Sequence, residues 1–213
     1  MTSAARFCFD QLASDDRWRT FTANERRVLD AFIRRWQIKP GDCVLEPGCG
    51  TGRLTGVLAA LVGPTGRVVA FDISPAFLSL ARQRQLPPQV TLRRGDAEIL
   101  RLTPASFDHV ICFNVFPHLV PHATTARRLA VALRPGGVFW IAHTCSRAFV
   151  NGVHRHGPPS LHKHLLPFPR DLARLLRRAG LDEVEVEDGA DRFLARAVRP
   201  APIAAPLKTT HHV

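Results

Sequence analysis

The sequence predicts an open α/β fold built on a mostly parallel sheet, and three observations carry that prediction. Helix-period and strand-like stretches alternate along most of the chain. A loop of closely spaced glycines, "EPGCGTG" at residues 46–52, follows the first strand-like run. The last two strand-like runs, "DEVEVED" and "RFLARAVR", are joined by Gly189-Ala190-Asp191, as a closing antiparallel hairpin would be.

Taken in order, "ANERRVLDAFIRRW" spaces Val28, Leu29, Phe32, Ile33 and Trp36 as a helix with one buried face. Pro40-Gly41-Asp42 turns the chain into strand one, "CVLEP". A helix runs from Gly52 to Leu61 and stops at Gly63-Pro64-Thr65-Gly66. "RVVAFD" is strand two, "FLSLARQR" a helix and "VTLRRGD" strand three. "DHVICFN" is strand four, continuously apolar as a strand covered on both faces should be. "ATTARRLAVAL" is a helix stopped by Arg134-Pro135-Gly136-Gly137, and "VFWIAHT" is strand five. Residues 145–168 break the rhythm with His, Pro and Gly and read as an insertion on the substrate side. "PRDLARLLRRAG" is a further helix, with Pro169 near its start and Gly180 as its stop.

At 213 residues the chain suits one domain with a full core, expected at residues 40–200. Residues 1–39, with Phe7, Phe9, Leu12, Trp18 and Phe21, are expected as a helical lid, and residues 201–213 as a flexible tail. No apolar run approaches the ~18–20 residues of a membrane span. The first residues lack a basic patch leading into an apolar core, so the expected location is the cytoplasm. The five cysteines form no CxxC and read as reduced core thiols, Cys145 being the candidate reactive one. The net charge of +11 comes from 26 Arg against 3 Lys, scattered in pairs such as Arg26-Arg27 and Arg177-Arg178, with no Tyr. That dispersion reads as compositional bias on solvated helix faces, so a nucleic-acid partner is not expected.

A dinucleotide fold wants G-x-G-x-x-G between strand and helix. Here Gly48, Gly50 and Gly52 are spaced G-x-G-x-G, and Arg53 stands where the third glycine belongs. Glu46, at the mouth of the loop, would repel a pyrophosphate and welcome a cofactor carrying an ammonium and a sulfonium. Asp72 ends strand two, placed to accept two ribose hydroxyls, and Asp96 ends strand three beside Ala97, placed to meet an adenine amino group.

With "VLEPGCGTGRLT", "VVAFDISPAFLSLAR", "GDAEIL", "FDHVICFNVFPHL" and "LRPGGVFWIAHT" in this order, the chain resembles class I S-adenosylmethionine (SAM)-dependent methyltransferases. The resemblance covers roughly residues 40–200 and is nearest the small-molecule, quinone-ring branch. It implies a seven-stranded sheet of order 3-2-1-4-5-7-6 with strand seven antiparallel, SAM as methyl donor and S-adenosylhomocysteine as product. Carried over residue by residue, Glu46, Gly48, Cys49, Gly50 and Gly52 flank the methionine part and Asp72 and Ile73 the ribose. Asp96 and Ala97 take the adenine, and Asn114 stands beside the sulfonium.

The acceptor side is less specific. Seven of ten histidines fall between residues 118 and 164. If residues 146–154 are helical, Arg147, Asn151 and His154 form one polar stripe. Three readings stay open: surface or capping histidines; a general base at His118 or His143, with His154 nearby and Arg147 clamping an acidic acceptor; and a metal held by His143, His154 and His118. No zinc spacing is present, so no metal is expected. "NVFP" lacks the second proline of the base-clamping motif of amino-base methyltransferases, which counts against nucleic-acid methylation. The expected activity is methyl transfer to a small anionic or aromatic metabolite. The alternatives are a metal-dependent methyltransferase, an RNA methyltransferase and a non-catalytic SAM-binding protein.

Overall fold

The computed structural model describes residues 18–201, with Asp10, Gln11, Ala13 and Asp15 ahead of them. The expectations for Phe7, Phe9 and Leu12, and for the tail beyond Ala201, lie outside the described residues. Seven strands form one sheet: β1 (Cys43–Pro47), β2 (Arg67–Asp72), β3 (Val90–Arg94), β4 (Phe107–Phe113), β5 (Leu133–His143), β6 (Asp182–Asp188) and β7 (Phe193–Val198). Their order is β3-β2-β1-β4-β5-β7-β6. The first five pair in parallel, and β7 runs antiparallel to both β5 and β6. This is the class I methyltransferase arrangement.

Six helices with described bounds cover the two faces among the described residues: α1 (Ala23–Trp36), α2 (Arg53–Val62), α3 (Pro75–Arg82), α4 (His122–Ala132), α5 (Arg147–His156) and α6 (Pro169–Arg178). Because strand side chains alternate, each central strand feeds both layers. Val44, Val68, Ala70, Ile111 and Trp140 pack with α1, α2 and α3. Leu45, Val69, Phe71, Val110, Cys112, Phe139 and Ile141 pack with α4 and α6. Helix α1 starts at a capping box, Glu25 N–H to Thr22 Oγ1 at 3.2 Å and Thr22 N–H to Glu25 Oε2 at 2.8 Å. It lays Val28, Leu29, Phe32 and Trp36 into the core against the sheet.

Two boundaries differ from the sequence expectation. Strand β5 begins at Leu133, five residues early, because Arg134–Gly137 bulge out between the Leu133–Phe107 and Val138–His109 pairs. Arg134 secures the bulge with 2.8 Å bonds to both carboxylate oxygens of Asp108. Within residues 145–168 the chain is helical over α5, which Ser146 caps by accepting Phe149 N–H at 3.2 Å. No helix among the described residues is long and apolar enough to cross a membrane.

Candidate active site

Parallel strands deliver their carboxyl ends to one edge, where open α/β sheets bind ligands. At that edge Gly48 and Cys49 hang from β2, donating to Phe71 O at 2.7 and 3.1 Å. Gly48, Gly50 and Gly52 all have positive φ, and a Cβ on Gly48 would come within 2.2 Å of Val115 Cγ2. Only glycine therefore lets this loop lie against the end of β4. Beside Gly50 the space is open, which leaves room for a ligand to approach the backbone.

Asp72 braces the loop. Its Oδ2 accepts Gly50 N–H and its Oδ1 accepts Ser74 N–H, both at 2.9 Å. Ser74, not Asp72, caps α3, accepting Phe77 N–H at 3.1 Å. Burial raises the Asp72 carboxyl above its ordinary value against the pull of these amides. Glu46 is more extreme. It is 2% exposed, and burial pushes its pKa up to about 8, although Thr55 Oγ1 donates to its Oε2 at 2.6 Å. The Cys49 thiol is buried beside both acids and held well above its ordinary value, which leaves it unreactive. Among the described residues no Lys, Arg or His side chain bonds to Glu46 or Asp72. Two buried acids lacking a cation, beside an open glycine, fit a ligand that brings positive charge.

Ile73 follows Asp72, half-buried. Gly95 N–H donates to Asp72 O at 3.0 Å and brings Asp96 and buried Ala97 to the same edge. Asp96 Oδ1 accepts Glu98 N–H at 2.9 Å. Asn114 sits in the left-handed region at φ 52° and pairs reciprocally with Thr144: its Nδ2 donates to Oγ1 at 3.2 Å, and its Oδ1 accepts N–H at 3.0 Å. The pair ties the tips of β4 and β5, a contribution of Thr144 that the sequence did not signal.

The sequence also undervalued Arg53, read only as a missing glycine. Its guanidinium lies 4.5 Å from the Phe21 ring centre, donates to Thr20 O at 2.7 Å and pairs with Glu25 at 3.1 Å. Arg84 bonds Thr51 O and Arg19 O, and Thr51 Oγ1 donates to Trp18 O. Trp18 packs edge-on against Phe77, and Phe21 against Phe113. Residues 18–21 thus lie across the glycine loop.

On the other side of the edge, histidines converge. His118 follows β4 in a short 3-10 turn, His143 ends β5, His154 lies on α5 and His164 precedes α6. His118 Nδ1 is 3.1 Å from His164 Nδ1, the His118 and His154 rings are 4.7 Å apart, and His154 Nδ1 bonds His164 O. His143 is 2% exposed, and its Nε2 has no hydrogen-bond partner among the described residues. Burial, and then the neighbouring imidazoles, hold His118 well below the ordinary histidine value; His143 is pushed down to about 3. His122, His156 and His162 instead bond backbone carbonyls, as capping residues do.

The polar stripe on α5 has structural partners. Asn151 bonds both backbone groups of Leu166, and Arg147 Nε donates to Asp188 Oδ2 at 2.7 Å with its guanidinium 4.2 Å from the Phe168 ring centre. Arg147 is therefore engaged by this chain's own acid and ring. Among the described residues no group of three or more His, Cys, Asp or Glu is placed to hold a metal ion. The four described cysteines, Cys43, Cys49, Cys112 and Cys145, are free thiols.

Residues 44–137 match the methyltransferase domain family. The chain is 33% identical over 160 residues to a 2-phytyl-1,4-naphtoquinone methyltransferase of Synechococcus elongatus, covering 72% of this chain and 65% of that one. It shares its fold with a chain of a Haloferax volcanii complex between a methyltransferase and its activator, at TM-score 0.77 and 22% identity over 91% of this chain and 98% of that one. It likewise resembles a Haemonchus contortus phosphoethanolamine N-methyltransferase solved with S-adenosylhomocysteine, at TM-score 0.68 and 20% identity over 83% and 53% of the two chains. The chain spans 35% to 65% of the length of the first four curated relatives it matches.

Proposed function

The chain carries a class I SAM-dependent methyltransferase domain, and on that premise we propose that it transfers a methyl group from SAM to a small aromatic acceptor. The observation that carries the reading is the pair of buried acids, Glu46 and Asp72, beside an open glycine loop, with no cationic side chain bonded to either acid among the described residues. In this reading Glu46 and the Gly48–Gly52 loop hold the methionine part, with Cys49 in the loop wall. Asp72 and Ile73 hold the ribose, Asp96 and Ala97 the adenine, and Asn114 borders the reacting sulfur. The cofactor supplies an activated methyl group; the chain orients the acceptor and receives its proton. Alignment of the reacting atoms can lower the barrier of such displacements by roughly 7–11 kcal/mol.

His118 is the base we favour, with His143 and His154 completing its surroundings. Imidazoles held neutral by burial keep their lone pairs available at neutral pH. The quinone-type relative supports an aromatic acceptor, and the commitment of Arg147 to Asp188 argues against an anionic one. The segment at residues 18–21 is read as a cover over the cofactor end, where Arg53 and Arg84 grip its carbonyls. Calorimetry with S-adenosylhomocysteine and NAD, followed by labelled methyl transfer onto a panel of naphthols, hydroquinones and aromatic acids, tests the proposal. Binding of NAD with no response to either adenosyl compound would sink it.

A further inference from the structure

One residue holds two imidazoles with its two polar groups. The His164 ring meets His118 Nδ1 to Nδ1, and its main-chain carbonyl meets His154 Nδ1. A carbonyl only accepts, so His154 carries its proton on Nδ1 and keeps a lone pair on Nε2. Between His118 and His164 one ring donates and the other accepts, so their tautomers are coupled. Residue 164 is itself fixed two positions on, where Asn151 donates to Leu166 O at 3.0 Å and accepts Leu166 N–H at 2.8 Å. Asn151 is buried, so this grip is shielded from water.

We infer that His164 is a positioning residue: it accepts the Nδ1 proton of His118 and thereby keeps the His118 lone pair on Nε2, the nitrogen that takes the acceptor's proton. This rests on the reading of His118 as the base. In that step the acceptor's proton passes to His118 Nε2 as the acceptor atom bonds the methyl carbon. The carbon–sulfur electron pair stays with the departing thioether. Among the described residues the titratable groups facing His118 are His154 on α5, His164, His143 at the end of β5 and His122 at the start of α4. A neutral imidazole partner thus fixes the tautomer without adding the charge a carboxylate would bring, so the base stays unprotonated below the ordinary histidine range.

Long-range nitrogen-15 spectra read each imidazole's tautomer without any turnover. The expected result is His118 in the Nδ1–H form in the unmodified protein and a mixture of tautomers in His164→Leu. His164→Asn, whose amide oxygen can reach the same position, should restore the Nδ1–H form. With an accepted acceptor, His164→Leu should lower kcat about tenfold at nearly unchanged KM for SAM, and His164→Asn should recover most of it. His118 in the Nε2–H form, or a tautomer indifferent to His164→Leu or His164→Asn, overturns the inference. If His164→Leu does not fold, the unmodified protein and His164→Asn still decide it. Expected spectra without turnover on any acceptor would count against methyl transfer and leave the hold of His164 on His118 standing.

Discussion

The two halves of the site are buried alike but carry opposite chemistry. Around the glycine loop, burial pushes two carboxyls up, Glu46 to about 8. Across the edge it pushes imidazoles down, His143 to about 3 and His118 well below its ordinary value. Removing charge from both ends is the same physical event, since a low-dielectric surrounding penalises whichever form is ionised. The consequences differ. The acid half becomes a place where an incoming cation is rewarded with a carboxylate, whereas the imidazole half becomes a set of lone pairs with no charge to neutralise.

The largest expected effect separates the halves most cleanly. His118→Ala should lower turnover by about 10²–10⁴ while leaving S-adenosylhomocysteine affinity nearly intact. A parallel loss of affinity, read by calorimetry, would mean the halves are not independent. Asp72→Ala should do the reverse, weakening adenosyl binding by roughly 1.5–3 kcal/mol, the scale of hydrogen bonds to a charged group. Its lost hold on the Gly50 and Ser74 amides adds to that effect.

The acid half also predicts a pH dependence. A cationic ligand pairs with ionised Glu46, so affinity for SAM should rise as pH increases toward about 8 and level off above it, at most about tenfold per unit. Proton release on binding, measured in buffers of different ionisation enthalpy, checks this; Glu46→Gln should abolish the slope. For the unliganded protein the signs oppose. Glu46 binds its proton more tightly when folded, so its burial costs stability as pH rises from its ordinary value of 4.5 toward 8. His143 binds its proton more tightly when unfolded, so stability falls as pH drops from 6.5 toward about 3. Thermal melting of Glu46→Gln should lose the first limb and keep the second.

The smallest effect tests the border of the imidazole half. Arg147→Ala should change acceptor KM by no more than about threefold and stability by under ~1 kcal/mol, as partly exposed ion pairs do. A rise in KM above tenfold, with an anionic acceptor and not with its neutral analogue, would restore Arg147 as an anion clamp.

The acid half was legible in the sequence because its geometry is local. Glu46 and Thr55 are nine residues apart, and Gly50 and Asp72 are 22 apart within one strand-helix-strand unit, so spacing alone brings them to one loop. Even here the partners of Arg53 were not legible, because they come from Thr20 and Glu25, some thirty residues away and ahead of the first strand.

The sequence by itself determined the alternation of elements and hence the sheet, the glycines whose positive φ the loop demands, and the acids at the strand ends. Only the tertiary structure decided which histidines meet. His118 and His164 are 46 residues apart, and their contact depends on how α5 docks and on Asn151 gripping Leu166. Arg147 and Asp188, 41 residues apart, likewise meet only once β6 has joined the sheet. Periodicity fixes which face of an element is buried; which side chains then share a buried space follows from the packing of whole elements against one another.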